Sequence, residues 1–244
     1  NGGRSADSAP MILAKGSHDM DYLNWVVDAP PVRVASFGML SHFKADRVGP
    51  DIPARCTDGC PIERDCPYSS LRTYLGEGLG WLVAAAKLSD DMDKRREELT
   101  RSPYGRCVYR CDNDVVDHQT VAIEFAGDVT VSLTMQGHAF ENTRTMRYSG
   151  TEGEIRGHAQ KNELTIYNFA TDRRDEVHIN PGGGGHGGGD WRLCHEFVDA
   201  IRADDPTLVT ASGEASLNGH LLCFAAEEAR LSRRVVEFDG YCQS

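Results

Sequence analysis

Between Val115 and Ile179 the chain breaks into short β-rich stretches: 115–125, 129–136, 143–150, 153–158, 163–168 and 175–179. Turn residues separate them, as at Ala126-Gly-Asp128 and Gly150-Thr-Glu-Gly153. A crossover between parallel strands needs about a dozen residues or more, so connections this short point to an antiparallel meander. Within 129–136, Thr130, Ser132 and Thr134 alternate with Val131, Leu133 and Met135, which predicts one polar and one apolar face.

Helical patterns flank the meander. The spacing predicts a helix running to Val27, with Ser8 as N-cap and Pro10 in its first turn. Leu13, Met20, Leu23 and Val27 form an apolar stripe, and Lys15, His18, Tyr22 and Trp25 form a second stripe on an adjacent face. A lysine and a histidine one turn apart, with Gly16 between them, can present a proton donor and a proton acceptor to one small molecule. The same spacing also fits a helix whose His18 is a hydrogen-bonded core residue and whose Lys15 is solvated. A strand follows at 32–38. Leu71–Lys87 reads as helical or mixed, and 90–100 as a charged helix or loop. Further helices are expected at 191–203 and 216–232, and a last strand at 235–238.

Residues 41–70 are rich in Pro, Gly, Asp and Cys and read as one long irregular loop, of the kind that is usually functional or clamped. Cys56, Cys60 and Cys66 fall within it and could hold zinc, with His42, Cys107 or Cys111 as a fourth ligand. Buried free thiols or a local disulfide are the alternatives. The chain has 8 cysteines and no secretory signal at its start, which points to a reduced, cytoplasmic setting. A net charge of -11 argues against nucleic acid and anionic membranes as partners, and no apolar run approaches the roughly 20 residues of a membrane helix. The chain opens almost directly on a helix, as expected of a piece of something longer.

Two polar constellations stand out. Asp112-Asn-Asp-Val-Val-Asp-His118 leads into a strand in which Asp114 and His118 would share a face, with Asp117 on the other; an Asp/Asn-rich turn is the plainer alternative. His186 sits among glycines in 181–190, just before Asp190 and a helix start, where backbone amides can cradle an anion or a sugar hydroxyl; a flexible connector is the alternative. Gly76-Glu-Gly-Leu-Gly80 is a poor dinucleotide fingerprint, because its spacing is wrong.

Taken in order, Met11-Ile-Leu-Ala-Lys-Gly-Ser-His-Asp-Met-Asp-Tyr-Leu-Asn-Trp25, Pro103-Tyr-Gly-Arg-Cys-Val-Tyr-Arg-Cys-Asp-Asn-Asp-Val-Val-Asp-His-Gln119, Gly150-Thr-Glu-Gly-Glu-Ile155 and Gly185-His-Gly-Gly-Gly-Asp190 resemble the C-terminal domain of the glucose–fructose oxidoreductase / inositol dehydrogenase / rhizopine-catabolism (Gfo/Idh/MocA) family. The cysteine loop from Arg55 to Ser69 resembles an insertion of one branch. The resemblance spans nearly the whole chain. It implies an α+β fold with a large, mostly antiparallel open sheet and helices on one face, as in dihydrodipicolinate-reductase-like C-terminal domains. Residues 1–244 would then be one substrate-binding and oligomerisation domain, with a cysteine-rich insertion at about 41–70. NAD or NADP would be bound mainly by a Rossmann domain outside this sequence, and the family's Glu-Lys-Pro motif is also missing here. The implied substrate is a sugar or polyol, and the implied assembly a homodimer or homotetramer through the sheet. By this resemblance His18 is the catalytic acid/base. Ala14 stands where many members carry an aspartate, and Lys15 beside it would share the proton work. Tyr22, Asp114, His118 and His186 are the candidate substrate contacts. A glycosidase-type relative that uses NAD, and a non-catalytic dimeric binding module, are the alternative readings.

Overall fold

The computed structural model describes residues 3–76, 80–180, 182–183, 185–238 and 241. Cys242 and parts of the two glycine-rich stretches lie outside them. The chain divides into two compact units, one of residues 1–138 with 217–244 and one of residues 139–216.

In the first unit, helix α1 (Met11–Val27) leads into strand β1 (Pro31–Met39). Three short helices follow: α2 (Ser70–Tyr74), α3 (Gly80–Ala85) and α4 (Met92–Leu99). Then come β2 (His118–Phe125) and β3 (Val129–Gln136). Pro10, not Ser8, occupies the N-cap of α1; its carbonyl accepts from the amides of Leu13 and Ala14.

The second unit holds β4 (Thr145–Ser149), β5 (Gly153–His158), β6 (Glu163–Asn168), β7 (Arg173–His178) and α5 (Gly189–Ala203). Helix α6 (Gly213–Ser232) and strand β8 (Val236–Glu237) return the chain to the first unit.

The antiparallel α+β architecture matches expectation, but its hydrogen bonds run in two four-stranded ladders, β3-β2-β1-β8 and β4-β5-β6-β7. Every strand pair is antiparallel. Strand β2 begins at His118, three residues later than its β-rich sequence suggests. Residues 112–117 are irregular, with bends at Val115 and Asp117, so Asp114 and His118 do not share a strand face.

The first core lies between one face of β1–β3 and helices α1 and α6. Val34, Val121, Ile123 and Phe125 meet Ile12, Met20, Leu222, Cys223 and Ala226 there. The buried line of α1 is Ile12, Gly16 and Met20; of the predicted stripe Met20 is fully buried, while Leu13, Leu23 and Val27 are half-buried, with Leu13 and Val27 packed against the core. Gly219 explains how closely α6 approaches, since a Cβ there would stand 3.0 Å from the Asp21 Cα. Cys223 is a core residue; burial pushes its thiol up to about 12.

The loop over 41–69 packs a second, smaller core of Ile52, Cys107 and Tyr109, with Phe43, Val48, Cys60, Cys66 and Tyr68 around it. Guanidinium groups pin it. Arg55 donates to the carbonyls of Leu99 and Ser102 at 2.7 and 2.5 Å, and Arg110 donates to those of Ile52 and Gly49 at 3.2 and 2.5 Å. Among the described residues no helix is long and apolar enough to cross a membrane.

Candidate functional site

Burying Ile12, Gly16 and Met20 turns the opposite side of α1 outward. Lys15, His18, Tyr22 and Trp25 are all exposed on that side, one turn apart in succession. Trp25 is 70% exposed, and its ring lies 6.1 Å from that of Tyr22. Large aromatic side chains left uncovered beside a lysine and a histidine mark a surface built for contact rather than for solvation. The structure therefore places three predicted site residues, Lys15, His18 and Tyr22, on one face of one rigid element.

A second constellation sits at the end of the first sheet, around Asp117. Its side chain is 2% exposed and accepts four hydrogen bonds. Donors are the backbone amides of Ser41 and His42 at 2.9 and 2.7 Å, the Ser41 hydroxyl at 3.0 Å, and His118 Nδ1 at 2.8 Å. His138 Nε2 approaches to 3.7 Å. Burial opposes ionisation of this carboxyl, but the donors from His42, His118 and Ser41 outweigh it and hold the group far below the usual carboxylate range. An ionised carboxylate only accepts, so His118 must carry its proton on Nδ1 and leave Nε2 as an acceptor in its neutral form.

Around this hub His42, Phe43, Tyr68, Tyr109 and His138 form an aromatic cage. His42 Nε2 lies 3.0 Å from the Tyr109 hydroxyl, and the His42 and His138 rings meet edge to face at 5.3 Å.

The expected pairing of Asp114 with His118 is thus corrected: Asp117 is the partner. Asp114 instead ties down the chain start, accepting from the Ser5 amide at 2.6 Å and the Ser5 hydroxyl at 3.1 Å. Adjacency hid the true pair, because neighbours within a strand point to opposite faces. Asp117 precedes the strand and escapes that rule.

Cys56, Cys60 and Cys66 are brought together, joined by Cys107, around a cavity of about 10 Å3. They form no disulfide. Burial pushes the Cys66 thiol up, and its neighbours Cys56, Cys107 and Cys60 add to this. Zinc is not supported: no group of three or more His, Cys, Asp or Glu among the described residues is placed to hold a metal ion. The loop is fixed instead by its apolar cluster and the arginine–carbonyl bonds.

In the second unit His186 has a left-handed backbone (φ 51°), and its Nδ1 lies 2.8 Å from the Asp190 carboxylate. A neighbouring carboxylate orients this imidazole too, and both groups are exposed.

A nicotinamide dinucleotide needs a parallel βαβ cradle with its pyrophosphate at a helix N-terminus. Among the described residues all strand pairs are antiparallel, so none of them forms such a cradle.

No protein-family model matches the chain, and no curated protein does. Solved structures do match in fold. The super-repressor mutant of Gal80p from Saccharomyces cerevisiae matches with a TM-score of 0.59 at 11% identity, over 98% of this chain and 52% of that one. An oxidoreductase domain protein from Kribbella flavida matches at 0.57 and 14%, over 92% and 50%. An oxidoreductase from Agrobacterium radiobacter, solved with NAD+, L-tartaric acid and magnesium, matches at 0.54 and 12%, over 93% and 48%. The chain spans about half the length of the solved structures it matches.

Proposed function

We propose that this chain, which has the fold of Gfo/Idh/MocA-type oxidoreductases over about half their length, is the substrate-binding part of a nicotinamide-dependent enzyme that oxidises a sugar or polyol hydroxyl. The observation that carries this reading is the outward face of α1, where Lys15, His18, Tyr22 and Trp25 stand uncovered together. The nicotinamide, bound elsewhere, supplies the hydride acceptor. This chain's work is the proton. As the carbinol carbon gives up hydride, the hydroxyl proton passes to His18 Nδ1 or Nε2 and the C–O bond becomes a carbonyl. Lys15, one turn earlier, donates a hydrogen bond to the same oxygen, and the Tyr22 and Trp25 rings pack on the C–H face of the substrate. His118, oriented by the Asp117 carboxylate, is a further substrate contact in this reading.

The test is NAD(P)+ reduction by the full-length protein across a panel of sugars and polyols. His18→Asn should lower kcat by about 10²–10⁴-fold. Lys15→Met should move the acid limb of the pH–rate profile. Unchanged turnover in His18→Asn sinks the acid/base role.

A second reading is favoured by the Gal80p match: a binding module that performs no chemistry. Binding of a panel sugar with no cofactor reduction by any of them would select it.

A further inference from the structure

A groove of about 860 Å3 opens in the first unit, away from the exposed face of α1. Its size falls in the range of small-molecule sites, roughly 300–1,000 Å3. Tyr68, Tyr74 and Tyr104 stand in its wall, and the rings of Tyr74 and Tyr104 meet edge to face at 5.5 Å. Burial pushes the Tyr74 phenol up, with Tyr104 adding to it, so the hydroxyl is neutral at physiological pH.

The charges in the lining balance. Arg4 and Arg106 face Asp7 and Asp112. Arg106 donates to Asp112 at 2.6 Å, and Arg4 lies 3.5 Å from Asp112 and 3.4 Å from Asp7. Arg106, chiefly through its hydrogen bond, holds the Asp112 carboxyl below its usual range. Ser70 also lines the groove. It is buried, and its hydroxyl has no hydrogen-bond partner among the described residues. A buried hydroxyl without a partner calls for a physical account.

These features select a ligand chemistry. An anion would meet Asp7 and Asp112 beside the arginines, and a cation the reverse, so either must disrupt a paired network. A neutral ring with hydroxyls on its edge finds both donors and acceptors there. Its C–H faces pack on tyrosine rings.

We infer that this groove binds a glycosyl unit, a neutral polyhydroxylated ring that does not react there. The inference deepens the reading above, and rests on it, by giving the same substrate class a second, non-reacting site in the first unit.

Saturation-transfer NMR on the full-length protein, with cellotriose, maltotriose and the anionic ring benzoate as probes, tests it. Saturation should reach the ring C–H protons of at least one trisaccharide and not benzoate. Tyr104→Ala should weaken that binding at least ten-fold. Asp112→Asn, an exposed change outside both cores, should weaken it about five-fold with an unchanged thermal melt. Transfer to benzoate alone, transfer to no probe, or wild-type affinity in Asp112→Asn each overturns the inference. Binding is read without turnover, so the two readings fail separately. Active His18→Asn enzyme removes the catalytic reading, whereas intact saccharide binding in Asp112→Asn removes the groove.

Discussion

The two sheets follow the same alternation and end with different surfaces. In the first, Val34, Val121, Ile123 and Phe125 are at most 2% exposed beneath α1 and α6. In the second, Met146, Tyr148, Ile155 and Leu164 share a face with Ile166 and Val177, which are 36% and 40% exposed. Its other face is charged. Glu154 accepts from both Arg147 and Arg156, and the Arg156 and Arg174 guanidinium groups lie 5.2 and 5.9 Å from the Tyr167 ring centre. Alternation therefore sets which residues share a face, and only a covering element turns that face into a core. In the first sheet the cover is a helix of small residues, Gly219, Ala225, Ala226 and Ala229, which lets backbones approach closely.

The largest effect should come from the covered face. Phe125→Ala should cost about 3–5 kcal/mol in a urea titration, the range for a buried aromatic truncated in a core. Asp117→Ala should cost about 3 kcal/mol, because it strands the His42 and Ser41 donors that the carboxylate now satisfies.

Asp117 also carries a pH signature. Its folded-state affinity for a proton is depressed, so its stabilisation is present above the usual carboxylate range and is lost as pH falls through and below it. The margin of the wild type over Asp117→Asn should shrink on acidification from about pH 4 downward. A constant margin would mean that folding leaves the proton affinity of this carboxylate unchanged.

Gly219→Ala should cost about 1–3 kcal/mol, since the new methyl meets the α1 backbone at Asp21 rather than a movable side chain. The smallest effect belongs to the second sheet. Ile166→Ala should cost about 1–2 kcal/mol, because the side chain is already 36% exposed and its three lost carbons give up only part of a full burial. A cost equal to that of Phe125→Ala would break the contrast and show that the face is covered in the whole protein.

Much of this was legible in the sequence, and for a definite reason. Strands 129–136, 153–158 and 163–168 appear at the expected residues because period-two alternation and tight turns are local signals. The outward stripe of α1 was legible as helical spacing, and of its buried line only Met20 was. Gly16 carries no apolar signal, and it is buried beside the Ile12 side chain, whose Cδ1 would stand 2.9 Å from a Cβ there. The Asp117 hub was missed for a different reason. Its partners at 41–42 and 138 come from distant segments, and a bend placed the carboxylate where strand rules do not apply. Cysteine spacing showed that three thiols were close, and could not show that they pack with Cys107, Tyr68 and Tyr109.

The first unit is assembled from both ends of the chain, residues 1–138 and 217–244, and this sets an order of events during synthesis. The stretch 139–216 pairs only neighbouring strands, so its loop closures are short and its contacts form quickly. The first core lacks α6 and β8 until those elements have left the ribosome, and at an elongation rate of about 5–20 residues per second Phe125 and Ile123 wait several seconds for their cover. The later-encoded sheet is thus free to fold before the core of the earlier one is closed.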